Sequence, residues 1–181
     1  SGLDDCQGFE VSLGGRKHKE WVYFNNKYDD HPGAAEKVDD WQILSPVRNA
    51  PHGVEAINRL IQDTFRWKTK ESAKRSRHRK IPQPMGREGI LYGDKVINLH
   101  NQRRYDVYPR ENALQYVANG EIGIVVGQFK GKNSYYSGAP KKLEVEFSSQ
   151  PGIKYGFHTS DFGTERDPQL ELAYALTVHK V

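Results

Sequence analysis

The sequence predicts a mixed α/β fold that carries a small β-barrel. Residues 41–47 form a short, nearly continuous apolar run that contains Pro46, a pattern typical of a buried strand in a parallel sheet. A polar loop and an amphipathic helix follow this run. Further along the chain, five short strand patterns separated by glycine-rich turns favour a small barrel of the SH3 or OB kind.

The prediction of an α/β part depends on the unit of strand, loop and helix in residues 41–65. Its helix is predicted from apolar residues at helical spacing, which are Val54, Ile57, Leu60, Ile61 and Phe65. Open α/β sheets bind ligands in the loops at the carboxyl ends of their strands. Arg48 and His52 lie in such a loop, so Arg48 is a candidate phosphate ligand, although a single arginine after a strand is more often a surface residue.

The prediction of a barrel depends on five segments that have the residue types and lengths of β-strands. They are residues 95–100, 115–118, 122–129, 143–147 and 153–158. Asn119-Gly120 is a strong signal for a tight hairpin turn between the second and the third of them.

The two ends of the chain give weaker patterns. Residues 9–24 alternate apolar and polar around Gly14-Gly15, which predicts a hairpin with a polar loop at 15–20, and a short helix is expected near 34–38. A terminal helix is predicted because Asp167 suits an N-cap, Pro168 suits the first helical position, and five residues follow one helical face. Those five are Leu170, Ala173, Tyr174, Thr177 and Val181.

Composition indicates a polar cytoplasmic protein. Charged residues make up 28% of the 181 residues, the mean hydropathy is −0.82, and we expect no membrane span. Cys6 is the single cysteine, so an internal disulfide is impossible and a reducing compartment is the default. Met85 is the single methionine and Ser1-Gly2 opens the chain, from which we expect a piece of a longer protein.

Positive charge is concentrated in one segment. Residues 66–80 hold eight Lys/Arg and one Glu, against a net charge of +4 for the whole chain. This segment predicts a mobile arm that contacts phosphate, with Trp67 as a base-stacking surface, although a solvated linker would have the same composition. The candidate nucleic-acid contacts are Trp67, Lys74, Arg75, Arg77, Arg79 and Lys80.

The chain shows no complete catalytic or metal site. Residues 127–133 look like a phosphate-binding loop, but three residues separate Gly127 from Gly131 where a P-loop has four, and Asn133 replaces the Ser or Thr that meets magnesium. The seven histidines have no paired spacing that would indicate a metal site. We therefore expect no cofactor, metal or ATP hydrolysis in this chain alone.

Three segments in order resemble the C-terminal region of RecD-like and UvrD-like superfamily 1 DNA helicases. Residues 41–62, with Ser-Pro-Val-Arg and the following helix, resemble motif IV. Gly-Asp-Lys-Val-Ile at 93–97 and Asn-Gly-Glu-Ile-Gly at 119–123 resemble the pair that opens the family's SH3-like insertion. Residues 172–180 resemble the start of motif V, but Val181 stands where the family often has Ser.

The resemblance implies an incomplete second RecA-like P-loop NTPase domain that carries an inserted SH3-like barrel. The divisions would be 1–40, an N-terminal hairpin and connection; 41–65, the RecA-like unit; 66–90, the basic arm; 91–160, the barrel; and 161–181, a helix that returns to the RecA-like part. Arg48 would lie near the nucleotide cleft. Thr177, His179 and Lys180 would contact the DNA backbone, although at a native helix end they would simply cap the carboxyl terminus.

The parent protein implied by the resemblance is an ATP-dependent DNA helicase that uses ATP and Mg. Its partners would be single-stranded DNA, with RNA as an open alternative, and a first RecA-like domain that carries the P-loop. A hypothesis from another class also fits the composition. In it, the chain is a stand-alone SH3/OB-like module that binds a nucleic acid or a protein.

Overall fold

The computed structural model describes residues 2–24, 32–74, 83–130, 140–163 and 167–180. Its main element is a six-stranded sheet in which every neighbouring pair is antiparallel, in the order β11-β4-β8-β9-β10-β6. The strands are β4 (Lys95–Asn98), β6 (Val107–Tyr108), β8 (Ile122–Lys130), β9 (Pro140–Phe147), β10 (Lys154–His158) and β11 (Leu170–Leu172).

A two-stranded parallel sheet and three helices form the second part of the fold. Strands β3 (Ile43–Ser45) and β12 (Ala175–Thr177) pair in parallel. The helices are α1 (Gly2–Ser12), α2 (Val54–Phe65) and α3 (Trp67–Lys74). Helix α2 packs on β12, and α1 packs on α2.

The remaining elements are short. Strands β1 (Arg16–His18) and β2 (Trp21–Tyr23) form a hairpin, and β5 (Gln102–Arg103) pairs with β7 (Tyr116–Val117). Three 3-10 helices cover Ala34–Lys37, Thr159–Phe162 and Val178–Lys180. One hydrophobic core joins residues from Leu13 to Tyr174. No helix within the described ranges has the length and apolar character needed to cross a membrane.

The mixed α/β prediction is confirmed, and several of its elements lie where the patterns put them. The predicted helix is α2, whose apolar face carries buried Val54 and Ile61. The five strand segments overlap β4, β7, β8, β9 and β10, of which β9 begins three residues earlier than predicted, and the short helix near 34–38 is the 3-10 helix Ala34–Lys37. The predicted strand of a parallel sheet is β3, but the expectation that it is buried is wrong: of its three residues only Ser45 is buried, and Leu44 is 48% exposed, since among the described residues β3 pairs only with β12.

The expected barrel is not closed. In the described part of the chain, β11 and β6 are the two edges of the six-stranded sheet and do not pair with each other. Asn119-Gly120 does form a tight turn, with Gly120 at a φ of +93°, but not a hairpin, because the flanking strands have different partners. Strand β7 pairs with β5, and β8 pairs with β4 and β9.

The predicted terminal helix is wrong. Residues 170–172 form β11 beside β4, and 175–177 form β12 beside β3. Six residues of this segment are buried, which are Leu170, Leu172, Ala173, Tyr174, Ala175 and Leu176. A segment that is buried on all sides has apolar residues at helical and at strand spacing alike, so its periodicity does not distinguish the two.

The predicted hairpin at 9–24 is wrong in its first half. Residues 9–12 end helix α1, because Phe9 stacks on Phe65 with ring centroids 4.5 Å apart and also contacts the rings of Trp41 and Tyr174. The hairpin is shorter, and the residues predicted as its loop include β1.

The basic arm begins with a residue that is not solvated. Arg66 has 1% of its surface exposed and bonds to Glu10 and to the Tyr92 carbonyl oxygen. Residues 67–74 form α3. Arg75, Arg77, Arg79 and Lys80 lie outside the described residues.

Candidate functional site

The parallel pair brings two of the predicted site segments to one edge. In its register, Thr177 lies opposite Ser45, and Leu176 lies opposite Leu44. Because parallel strands end at the same edge, the loop that carries Arg48 and the residues after β12 begin side by side. This is the edge at which α/β sheets bind ligands.

The loop after β3 folds tightly onto the start of α2. The amide N–H of Val54 donates to the Val47 oxygen at 3.0 Å, and that of Glu55 donates to the Arg48 oxygen at 3.3 Å. A Cβ on Gly53 would lie 2.5 Å from the Arg48 oxygen, so glycine permits this close approach. Two amides of the first helical turn are therefore already bonded and are not directed at a ligand.

Arg48 lies in a cleft of about 300 Å³ among carboxylates. Its Nη2 is 2.5 Å from Glu171 Oε1, and its Nε is 3.7 Å from Glu55 Oε1. The side chain keeps 38% of its surface exposed. A phosphate that approached Arg48 would compete with Glu171, so the guanidinium is held in position but already neutralised.

Glu88 completes the acidic lining of this cleft. The Leu172 amide N–H donates to its Oε2 at 2.7 Å. Burial raises the pKa of Glu88 to about 7, and the nearby Glu171 carboxylate adds to the rise, while the Leu172 hydrogen bond and Arg48 oppose it. Near neutral pH, Glu88 therefore holds its proton more readily than an ordinary carboxyl group does, which limits the negative charge in the cleft.

The chain reaches the surface at the end of β12. Thr177 is half-buried, and Val178 and His179 are exposed. Lys180 ends the 3-10 helix Val178–Lys180. Of the sequence-predicted residues, Arg48, Thr177, His179 and Lys180 thus share one edge of the parallel pair.

Trp67 and Lys74 lie away from this edge. Both belong to α3, beyond the end of α2, whereas Arg48 precedes the start of α2. A helix of 12 residues is about 18 Å long. The structure therefore separates the Arg48 edge from the α3 residues by roughly the length of α2.

A further basic segment was missed by the sequence interpretation. Residues 16–19, Arg-Lys-His-Lys, are exposed on the β1–β2 hairpin, and Lys68 of α3 donates from Nζ to the Glu20 oxygen at 2.6 Å. The signal in the sequence was the run of cations beside Trp21 and Tyr23. The alternating pattern around Gly14-Gly15 predicts most of this segment as the polar loop of a hairpin, and no binding motif includes it.

Within the described ranges, no cluster of three or more His, Cys, Asp or Glu side chains could hold a metal ion. Comparison of the chain with protein-family models, with curated proteins and with solved structures finds no match.

Proposed function

We propose that this chain is part of an ATP-dependent DNA helicase of the RecD-like and UvrD-like kind. It would supply half of the nucleotide cleft and part of the track for single-stranded DNA. The observation that carries the proposal is the parallel pairing of β3 with β12. The segments that resemble motif IV and motif V are far apart in sequence, and in a RecA-like sheet both would end at the ligand-binding edge.

The path of the chain also supports the proposal. The chain leaves β3 and α2, builds β4 to β11, and then returns as β12 beside β3. An SH3-like insertion in a RecA-like domain would have this topology. In the proposed complex, Arg48 would face the nucleotide, ATP and Mg would be held mainly by a first RecA-like domain, and Thr177 and His179 would contact the DNA backbone.

The test uses the natural full-length product of the gene that encodes this chain. We expect ATP hydrolysis that single-stranded DNA stimulates, and unwinding of a tailed duplex. Thr177→Ala should weaken DNA binding by about two- to tenfold, the range for one lost hydrogen bond. A full-length product that has no P-loop and hydrolyses no ATP would refute the proposal.

A binding module that acts without ATP is the second candidate function, and one observation favours it. Tyr105, Tyr108 and Tyr116 are 68%, 70% and 48% exposed around the β5–β7 pair. Exposed tyrosines are typical of recognition surfaces. The same full-length experiment separates the two candidates, because this one predicts partner binding with no ATPase activity.

A further inference from the structure

The β1–β2 hairpin and helix α3 form one continuous surface that is rich in cations and aromatic rings. We define this basic–aromatic surface as residues 16–23 and 67–74. We propose that it is a binding site for single-stranded nucleic acid. The inference goes beyond the helicase proposal, since it requires no ATP-driven motor and the hairpin lies outside the segments that resemble a helicase.

The register of the hairpin places four side chains on one face. Arg16 lies opposite Tyr23, and His18 lies opposite Trp21. Directly opposite residues in an antiparallel pair project to the same side. Val22 projects to the other side and has 6% of its surface exposed, so the four-residue face is the outer one. His18 and Tyr23 also contact diagonally, with ring centroids 6.4 Å apart.

Lys68 joins the helix to the hairpin. Its Nζ donates to the Glu20 oxygen at 2.6 Å and lies 4.5 Å from the centroid of the Trp21 ring. Thr69 and Ala73 are buried and anchor α3 to the molecule. Trp67, at the start of α3, is 44% exposed. The two elements therefore present their side chains as one surface.

The charge of this surface is strongly positive. Residues 16–23 and 67–74 contain six Lys/Arg and two Glu, so this small area carries as much net charge as the whole chain. Lys70 pairs with Asp63, and Lys74 pairs with Glu71 at 3.1 Å. Lys19 is exposed at the turn of the hairpin, and Lys17, which projects to the same side as Val22, is exposed at the cleft beside the hairpin. Cations of this density attract a polyanion and release its counterions on binding.

A cleft of about 290 Å³ adjoins the hairpin at the start of β1. Arg16, Lys17 and Lys37 line it, together with the backbone of Gly14 and Gly33. A Cβ on Gly14 would lie 2.1 Å from the Ala34 oxygen, so only glycine permits the close approach that shapes this wall. The positive charge of these three side chains around one opening favours binding of a backbone phosphate.

The aromatic rings select a single strand as the occupant. Tyr23 is 41% exposed and Trp67 is 44% exposed, each within an element that also carries cations. Unpaired bases can stack on such rings, whereas the bases of a duplex are already stacked on one another.

The test measures binding of the 181-residue chain to a fluorescein-labelled oligothymidylate by anisotropy, at several salt concentrations. Lys17→Glu combined with Lys19→Glu should weaken binding about tenfold or more at low salt. It should also reduce the slope of log K against log salt by about 1.4, for two lost phosphate contacts. Tyr23→Ala should weaken binding at least about fivefold through lost stacking.

Two control variants match these changes. Arg59→Glu combined with Arg110→Glu makes the same charge change at exposed sites on α2 and after β6, and Leu60→Ala removes an exposed apolar side chain that is 65% exposed. All variants are first checked for wild-type thermal unfolding. If both hairpin variants bind with wild-type affinity, the proposal is overturned. It is also overturned if the charge control loses as much affinity as the lysine variant does. Equal affinity for a blunt duplex, unaffected by Tyr23→Ala, would overturn the single-strand assignment.

Discussion

Arg66 is a buried cation that connects three parts of the chain. It follows α2, bonds to Glu10 of α1 and to the Tyr92 carbonyl oxygen, and lies 3.5 Å from Asp94. A Cβ on Gly93 would lie 2.4 Å from its Nη2, and Gly93 has a φ of +82°, so two reasons require glycine there. A buried charge of this kind is costly unless its partners remain.

Arg66→Met should therefore destabilise the protein strongly. The change leaves Asp94 and Glu10 without their cation, and we expect a loss of about 3–5 kcal/mol in the free energy of unfolding. Urea unfolding followed by tryptophan fluorescence measures the loss. Arg59→Met on the exposed face of α2 is the matched control and should change stability by less than about 0.5 kcal/mol. A loss at Arg66 as small as in the control would contradict the assigned role.

Glu88 gives the stability a predictable pH dependence. Burial raises its pKa from 4.5 to about 7, so the folded state holds this proton more tightly than the unfolded state does. Its contribution to stability is then fully present below about pH 4.5 and is lost as the pH rises to about 7. The loss of stability is at most about 3.4 kcal/mol, at 1.36 kcal/mol for each pKa unit.

Glu88→Gln should remove this dependence. The amide oxygen can still accept from the Leu172 N–H, but it carries no charge at high pH. We expect the variant to be more stable than the wild type at pH 8, with a smaller difference at pH 5. Thermal unfolding across this range measures it, with Glu55→Gln, at the rim of the same cleft, as the control. A difference in stability between Glu88→Gln and the wild type that is the same at pH 5 and pH 8 would contradict the raised pKa of Glu88.

At the scale of elements, Asn58 fixes how the last two strands are placed. Its side chain is 1% exposed and donates to the Leu172 and Ala175 oxygens at 3.1 and 3.2 Å. It also accepts from the Ala175 N–H at 2.7 Å. Helix α2 thus bonds to the last residue of β11 and the first residue of β12, on either side of the bend between the two strands.

Asn58→Ala should loosen β12 selectively. Three backbone groups would lose their buried partner, at a cost of about 1–3 kcal/mol each when left unsatisfied. Hydrogen exchange should accelerate in residues 173–177 more than in β8 and β9. Asn49→Ala, in the exposed loop after β3, is the control and should leave the exchange unchanged. Uniform acceleration over the whole chain would indicate global destabilisation instead.

At the scale of the whole molecule, positive charge is divided between two regions. One is the basic–aromatic surface, and the other is the run of cations from Arg75 to Lys80, outside the described residues. Phosphate contacts of both would contribute to one salt dependence, because each releases counterions. The Arg48 cleft, with its three glutamates, would contribute little to the attraction of DNA.

Neutralising the second region should lower the salt dependence without abolishing binding. Changing Arg75, Arg77, Arg79 and Lys80 to Gln should reduce the slope of log K against log salt by up to about 2.8, at roughly 0.7 for each phosphate contact. Anisotropy with the same oligothymidylate measures it. An unchanged slope would mean that this run makes no phosphate contact. When the hairpin substitutions are added to this four-residue variant, they should weaken binding by the same factor as they do in the wild type.

The sequence by itself determined the elements whose residue pattern is compatible with only one type of secondary structure. Helix α2 has an apolar stripe and a polar face, β8 is a long run of mostly apolar strand formers, and β9 alternates apolar and acidic residues over 143–147. In such segments, local preference and burial agree. The same holds for the parallel pairing of β3, although the burial that its short apolar run predicts is wrong, because Leu44 is 48% exposed.

Only the tertiary structure decided the conformation of segments whose local residue pattern does not predict how they are buried. Residues 170–177 become two strands because β4 and β3 offer open edges, and Phe9 becomes part of a helix because aromatic partners from three other segments surround it. Arg66 is buried because Glu10 and Asp94, distant in sequence, meet it. The pairing of hairpin β1–β2 with α3 depends on Lys68 reaching Glu20 across a long sequence separation. Such long-range contacts leave no periodicity in the chain, which is why the basic–aromatic surface became visible only in three dimensions.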